Sequence, residues 1–127
     1  MAEWVLDASA VLASLRNETG GERVLPVLET SLLSAVNLAE VATRLLDLGA
    51  LAADIDGLRE RLRCEVIPFD EGLALRAGLL RVQTRHLGLS VGDRACLALA
   101  QREGLPVLTG DRAWRGLDVG VEVVLIR

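Results

Sequence analysis

The sequence contains no lysine and no tyrosine, and it has a single histidine, His86. The absence of lysine excludes the phosphate-binding P-loop, whose motif requires a lysine that reaches the phosphates. It also excludes Schiff-base chemistry on a lysine amine. One histidine cannot supply a paired-imidazole acid and base, nor a zinc site with two histidine ligands. All 14 basic side chains are arginines.

Cysteine and long apolar runs are also scarce. Cys64 and Cys96 are far apart and form no Cys-x-x-Cys motif, so we expect reduced thiols in a cytoplasmic protein. The N-terminal residues show no basic region followed by an apolar stretch, so no secretory signal is expected. The sequence has no run of about 18 uncharged apolar residues, so no membrane span is predicted.

The pattern that is present is an alternation of short apolar strands with helices. Strands separated by helices of about a dozen residues indicate βαβ units. We therefore predict an α/β fold, a three-layer α/β/α sandwich with a central, mainly parallel sheet, in a single domain over 1–127. The predicted strands are 4–6, 32–33, 65–69, 106–109 and 121–126, and the predicted helices are 9–15, 23–28, 37–48, 51–62, 71–85 and 91–103.

Four carboxylates fall where strands end or helices begin. Strand ends and the starts of the following helices share one edge of a parallel sheet, so all four side chains can point into one crevice. They are Asp7 after the first strand, Glu40 in the first turns of the helix 37–48, Asp93 in the first turn of the helix 91–103, and Asp111 after the strand 106–109.

Each acid also has a purely structural interpretation as a helix cap. Ser-x-x-Asp and Asn-x-x-Glu sequences resemble capping boxes, and acidic groups are stabilising near helix N-termini. The caps in question are Asp7 before the first helix, Asn37 with Glu40, Ser90 with Asp93, and Asp111 before the turn 112–114.

Taken together, four converging carboxylates would repel one another, and no lysine is available to neutralise them. Arg94 and Arg112 would help only if their side chains turned inward. Oxygen ligands without a thiol or histidine cluster favour Mg²⁺ or Mn²⁺. Such an ion keeps several waters, so the predicted reaction is hydrolysis of a phosphodiester by a metal-activated water. The formal net charge of −4 equals the summed charge of these four acids, so the remaining positive and negative charges balance on average.

Phosphate contacts need local arginines. An arginine-rich helix can equally be a solvated face in which arginines pair with neighbouring acids, as in Asp56–Arg59 or Glu60–Arg63. The candidates for contacts to phosphate are Arg81 and Arg85 on one predicted helix and Arg59, Arg61 and Arg63 on another.

Four sequence segments carry these acids: V-L-D-A-S-A at Val5–Ala10, S-A-V-N-L-A-E-V at Ser34–Val41, L-S-V-G-D-R-A-C-L-A-L-A at Leu89–Ala100, and L-T-G-D-R-A-W at Leu108–Trp114. In this order, the segments resemble PIN-domain ribonucleases, most closely the small VapC-type toxins of bacterial and archaeal toxin–antitoxin pairs. The resemblance spans nearly the whole chain and implies one PIN-like nuclease domain.

The resemblance also implies roles for individual residues. It assigns Ser9 and Thr109 as supporting polar residues. Where some members carry a further acid, this chain has Ala113 and Trp114, and we expect Trp114 to pack in the core. The catalytic, metal-binding acids of an Mg²⁺- or Mn²⁺-dependent endoribonuclease would be Asp7, Glu40, Asp93 and Asp111.

The same resemblance implies an RNA substrate, a cognate antitoxin that blocks the acidic crevice, and a homodimer. The apolar residues of 51–62 and 73–82 exceed one core-facing stripe, and we interpret the excess as a dimer surface. The alternatives are a housekeeping nuclease outside a toxin–antitoxin pair and a catalytically silent binding scaffold. Asp7-Ala8-Ser9 lacks the second acid of phosphotransfer and RNase H-like motifs, which disfavours both of those folds.

Overall fold

The computed structural model describes residues 1–127, and its centre is a five-stranded sheet. Neighbouring strands are all parallel, in the order β3-β2-β1-β4-β5. This confirms the predicted α/β architecture with a parallel sheet. The strands are β1 (Trp4–Leu6), β2 (Ser31–Ser34), β3 (Glu65–Ile67), β4 (Val107–Thr109) and β5 (Val123–Leu125).

The helices occupy the intervals between the strands. No helix combines the length and the apolar character needed to cross a membrane. Three short 3₁₀ segments lie at Leu25–Thr30, Arg85–Leu87 and Arg112–Trp114. The α-helices are α1 (Ala8–Arg16), α2 (Gly21–Val24), α3 (Ala35–Asp47), α4 (Ala52–Asp56), α5 (Leu58–Leu62), α6 (Glu71–Leu79), α7 (Arg81–Thr84) and α8 (Val91–Glu103).

Two of the predicted long helices are broken. The predicted helix 51–62 is divided at Gly57 into α4, which has no buried residue, and α5, whose Leu58 and Leu62 are buried. Glycine is a weak helix former, and the break lets α5 turn its leucines towards the core. The predicted helix 71–85 is divided after α6, where the buried Thr84 hydroxyl donates a hydrogen bond to the Leu80 carbonyl (2.8 Å). Such a bond competes with the helical backbone pattern.

The predicted helix 23–28 is also different in the structure. Helix α2 ends at Val24, and a 3₁₀ segment continues the chain to Thr30. Pro26 has no backbone N–H and cannot extend an α-helical hydrogen-bond ladder. The tighter segment begins at Leu25, with Pro26 as its second residue.

The sheet separates two apolar clusters. Adjacent residues of β1 divide between them: Val5 belongs to one cluster and Leu6 to the other, and both are fully buried. Successive side chains of a strand point to opposite faces, so each face of the sheet is covered by helices. Trp114 is fully buried in the first cluster, which confirms that it is a packing residue.

The carboxyl ends of β1 and β4 lie side by side. The Asp7 backbone N–H donates to the Leu108 carbonyl (3.0 Å), immediately beyond the β1–β4 pairing. In open parallel sheets, ligand sites form outside this edge. Asp7 and the residues after Thr109 therefore leave the sheet at the same place.

Candidate functional site

Asp7 is the buried centre of the site, with only 5% of its surface exposed. Its Oδ2 accepts hydrogen bonds from the hydroxyls of Ser9 (2.6 Å) and Thr109 (2.8 Å). Asp7 stands at the N-cap position of α1, but its side chain makes no capping hydrogen bond. Asp7 is therefore the N-cap residue by position, but its carboxylate is used in the site and not in capping the helix.

The oxygens of the same two hydroxyls accept hydrogen bonds from the turn after β4. The Gly110 N–H donates to Ser9 Oγ (2.9 Å), and the Asp111 N–H donates to Thr109 Oγ1 (3.0 Å). The hydroxyl oxygens themselves are 3.2 Å apart. Ser9 and Thr109 thus tie the carboxyl ends of β1 and β4 together around one oxygen of Asp7.

Glu40 is held by a neighbour on α3. Asn37 is fully buried, and its Nδ2 donates to Glu40 Oε1 (2.7 Å) and to the Gly92 carbonyl of α8 (3.0 Å). Asn37 is not the cap of its helix, because Ser34 fills that role by accepting from the Val36 N–H (3.2 Å). The predicted Asn37–Glu40 capping box is wrong, since α3 begins two residues before Asn37.

Asp93 does form the predicted capping box with Ser90. The Ser90 N–H donates to Asp93 Oδ2 (2.9 Å), and the Asp93 N–H donates to Ser90 Oγ (3.1 Å). A Cβ added to Gly92, the preceding residue, would overlap the Glu40 carboxylate. Glu40 therefore lies directly against the first turn of α8, the turn that also carries Asp93.

The three acids share one electrostatic environment. Burial raises the pKa of Asp7 to about 6, the Ser9 and Thr109 hydrogen bonds oppose this rise, and the negative charges of Asp93 and Glu40 add to it. None of the three acids forms an ion pair. The site therefore carries uncompensated negative charge next to a buried carboxyl group.

The neighbouring arginines do not supply the missing positive charge. Arg94 donates to the Ala77 carbonyl (3.0 Å), and Arg112 donates to the Arg127 carbonyl (3.5 Å). Neither side chain is turned into the site. The sequence had left this question open, because it does not fix which way a flexible side chain turns.

Asp111 differs from the other three acids. It is exposed, and its Oδ1 accepts from the Ala113 N–H (2.9 Å), so it caps the 3₁₀ turn Arg112–Trp114 as predicted. It is not among the groups that raise the pKa of Asp7. The negative charges of Glu40 and Asp93 act on Asp7, whereas Asp111 is connected to Asp7 through the bond from its backbone N–H to Thr109.

Cys96 lies close enough to Asp7, Asp93 and Glu40 for their charges to affect its pKa. It is fully buried in α8, and its pKa is raised well above the usual value, first by burial and then by the charges of Asp7, Asp93 and Glu40. Burial also raises the pKa of Cys64. Both cysteines are free, as expected.

The chain matches one known protein family. A sequence profile described as the PIN domain matches residues 4–120. The chain belongs to the PIN domain family. No curated protein matches it in a sequence comparison.

Several solved structures similar to this PIN domain are described as VapBC complexes or VapC toxins. A DNA-bound VapBC complex of Salmonella typhimurium is 19% identical, with a TM-score of 0.74 and 100% of both chains covered. The sarcin–ricin-loop-cleaving toxin VapC20 of Mycobacterium tuberculosis is 18% identical, with a TM-score of 0.72 and coverage of 94% of this chain and 99% of that one. VapBC-5 of Mycobacterium tuberculosis is 28% identical, with a TM-score of 0.61 and coverage of 100% and 99%. The PIN domain thus has the fold of these proteins.

The donor set of this PIN domain suits a hard divalent cation. Asp7, Glu40 and Asp93 each use one carboxylate oxygen in a hydrogen bond, and the other oxygen of each accepts none. Carboxylate oxygens are the ligands that Mg²⁺ and Mn²⁺ prefer. No group of three or more acidic, cysteine or histidine side chains lies close enough together to hold an ion, so an ion bound here by one or two carboxylates would keep several waters among its ligands.

Arg81 and Arg85 lie on α7 and the 3₁₀ turn after it, just before the loop that leads into α8. Both are exposed, and neither makes an ion pair. The alternative ion pairs Asp56–Arg59 and Glu60–Arg63 do not form, because Arg63 bonds to Glu29 instead (3.3 Å).

Proposed function

We propose that this PIN domain is an Mg²⁺- or Mn²⁺-dependent endoribonuclease that acts as the toxin of a type II toxin–antitoxin pair. The observation that carries the proposal is the buried Asp7 carboxyl with Glu40 and Asp93 nearby and no positive side chain among them. Membership of the PIN family supports a nuclease, and the fold shared with VapBC toxins supports a toxin.

The residues that would hold the cation are Asp7, Glu40 and Asp93, with Asp111 at the rim. A bound Mg²⁺ or Mn²⁺ would supply a Lewis acid that lowers the pKa of water and stabilises negative charge on a phosphate. Asp7 contributes a carboxylate oriented by Ser9 and Thr109, which leaves its second oxygen free of hydrogen bonds. Ser90 orients Asp93 in the same way.

A divalent cation would also relieve the electrostatic cost of placing Asp7, Glu40 and Asp93 near one another. Burial and like charges both disfavour the ionised form of Asp7, and the pKa of about 6 reflects that cost. A cation reverses the balance, because it stabilises the charged form of every carboxylate it touches. The site should therefore bind cations more tightly as the pH rises through 6.

The direct test is RNA cleavage by metal-stripped protein with and without added Mn²⁺ or Mg²⁺. We expect cleavage only with the ion, a loss of at least about 100-fold in Asp7→Asn and Asp93→Asn, and inhibition by EDTA. Asp118→Asn is the matched control, because Asp118 is an exposed acid outside the site. Equal cleavage by wild type and Asp7→Asn would reject the proposed chemistry.

A catalytically silent scaffold is distinguished in the same assay. It would show neither ion-dependent cleavage nor a rise in melting temperature with Mn²⁺. A housekeeping nuclease would cleave RNA but would not arrest growth when its expression is induced. Growth arrest by the wild type, absent in Asp93→Asn and relieved by a co-expressed antitoxin, is the result expected of a toxin.

The remaining elements of the proposal concern partners. The substrate is RNA, contacted at its phosphates by the exposed Arg81 and Arg85. The cognate antitoxin covers the acidic crevice, and the protein acts in the cytoplasm. The homodimer forms through apolar side chains on α6 and α7, where Leu75, Leu79 and Val82 are 66%, 72% and 74% exposed.

A further inference from the structure

Asn37 joins the two helices that carry Glu40 and Asp93. Its single Nδ2 donates to the Glu40 carboxylate one turn along α3 and to the Gly92 carbonyl, 55 positions away on α8. Asn37 is fully buried. It therefore fixes Glu40 against the first turn of α8 from the inside of the protein.

The contacts require an amide in one orientation. Both neighbours of Nδ2, a carboxylate oxygen and a backbone carbonyl, only accept hydrogen bonds. The NH₂ group of an asparagine supplies one hydrogen to each, whereas a serine hydroxyl supplies one in total. A flipped amide, or an aspartate, would place oxygen against two acceptors. The hydrogen-bond geometry thus specifies asparagine.

The same residue leaves a buried acceptor unsatisfied. Asn37 Oδ1 is buried and has no hydrogen-bond partner. An unsatisfied buried acceptor is destabilising. A leucine of similar size would avoid this penalty, but it would also remove the hydrogen bonds to Glu40 and Gly92. Buried polar atoms without a partner are expected chiefly at functional sites. The functional contact of this amide is its hydrogen bond to Glu40.

Gly92 completes the arrangement. A Cβ at this position would occupy the space of the Glu40 carboxylate, although alanine is the better helix former. The two ends of the Asn37 contact, Glu40 and Gly92, are thus also in contact with each other. Asp93, the next residue after Gly92, is placed beside Glu40 as a result.

We infer that Asn37 is a positioning residue that holds the Glu40 carboxylate beside Asp93 so that both acids face one cation. The inference rests on the proposed function, since it assigns Asn37 a role in the same site. Asn37 acts only through Glu40. Its removal should therefore weaken cation binding when Glu40 is present and have little effect when Glu40 is absent.

The test is a double-mutant cycle on Mn²⁺ affinity, measured by calorimetry on the full chain without RNA. The variants are Asn37→Leu, Glu40→Ala and the double variant. We expect Asn37→Leu to weaken Mn²⁺ binding by about tenfold or more, as for other residues that orient metal ligands. In the Glu40→Ala background, the same substitution should change the affinity by less than about twofold.

Gln101→Leu is the matched control. Its Nε2 donates to the Val119 carbonyl (2.7 Å), so it is also an amide that joins α8 to another segment, away from the acids. Its loss should lower the melting temperature and leave Mn²⁺ affinity unchanged. An equal weakening by Asn37→Leu in both backgrounds, or wild-type affinity in Asn37→Leu, would overturn the inference.

Two further measurements test the role of Asn37 if the Asn37→Leu variant is unusable. If Asn37→Leu does not fold, Gly92→Ala displaces the Glu40 carboxylate from α8 and should show the same dependence on Glu40. The side-chain NH₂ resonances of Asn37 should move in Glu40→Ala without any metal, and their constancy would contradict the contact. A wild type that binds no Mn²⁺ would instead reject the proposed function, while the resonances still report on the positioning.

Discussion

The Thr109 hydroxyl donates to Asp7 Oδ2 over 2.8 Å and so joins the ends of two neighbouring strands that are 102 positions apart in the sequence. The bond has two effects. It stabilises the charged form of Asp7 and lowers its pKa against the effect of burial. It also sets the Thr109 oxygen to accept from the Asp111 N–H, which holds the next turn in place.

Thr109→Val should therefore impair both the fold and the reaction. The variant keeps the shape of the side chain but removes one donor to Asp7 and the acceptor of Asp111. We expect a loss of about 2 kcal/mol in the free energy of unfolding. Since the pKa of Asp7 rises further without this bond, the acidic limb of the cleavage rate against pH should move to higher pH.

Thr43→Val is the control for this variant. Thr43 is exposed on α3, and its hydroxyl donates to the Ala39 carbonyl (2.8 Å). Its replacement should change neither the pH dependence nor the stability by more than a few tenths of a kcal/mol. An unshifted acidic limb in Thr109→Val would show that the hydroxyl does not influence the titration of Asp7.

Asp7→Asn should stabilise the metal-free protein at neutral pH. The pKa of Asp7 in the folded protein is about 6, above its ordinary value of 3.8, so the folded state binds the proton more tightly. The contribution of Asp7 to stability therefore falls as the pH rises from about 4 to about 6. At pH 7.5 the full cost, on the order of 3 kcal/mol at most, is present, and the asparagine variant removes it.

Chemical denaturation of both proteins at a series of pH values checks this expectation. The stabilising effect of Asp7→Asn should be largest above pH 6 and should vanish near pH 4, where Asp7 of the folded protein is already neutral. Saturating Mn²⁺ should reverse the order at pH 7.5, because only the wild type gains from binding the ion. A constant difference across the whole pH range would contradict the raised pKa.

Asp111→Asn should have a smaller effect than Asp93→Asn. Asp111 is exposed and does not raise the pKa of Asp7. One of its carboxylate oxygens accepts a hydrogen bond that caps a 3₁₀ turn. Asparagine is an equally good cap, so the fold should be unchanged. We expect cleavage to fall by less than about tenfold in Asp111→Asn against at least about 100-fold in Asp93→Asn. Equal losses would give Asp111 the same weight in the reaction as Asp93.

Leu79→Glu should weaken self-association. Leu79 is 72% exposed between Leu75 and Val82 on the apolar face of α6 and α7. A buried charge without a partner is strongly destabilising in an interface, so sedimentation should show the monomer at concentrations where the wild type is a dimer. Leu25→Glu is the control, since Leu25 is a 56% exposed leucine outside α6 and α7. Identical sedimentation of both variants would exclude this dimer surface.

The sequence predicted the positions of the strands well because each contains a short apolar run, and the three central strands are almost wholly buried. Val5 and Leu6 illustrate this, since both are fully buried yet pack on opposite sides of the sheet. Helix breaks were harder to predict. Apolar spacing runs through Gly57 and Leu80 without interruption, and only the packing of Leu58, Leu62 and Thr84 against the core decides where the chain turns.

The candidate site was only partly predictable for a related reason. Asp93 was correctly interpreted as part of a capping box, because that contact is local. The contact of Asn37 with Gly92 joins distant segments, so the sequence offered only a local and incorrect interpretation as a cap. The different burial of Asp7 and Asp111 also depends on tertiary packing, since both residues simply follow a strand.

The protonated state of Cys96 has a consequence for the choice of metal. A thiophilic ion such as Zn²⁺ gains most of its affinity from sulfur ligands that have lost their proton. Complete burial, and after it the negative charges of Asp7, Asp93 and Glu40, raise the pKa of the Cys96 thiol well above its usual value and so favour the SH form. If the acids hold an ion as proposed, its ligands are therefore expected to be their carboxylate oxygens rather than the sulfur of Cys96.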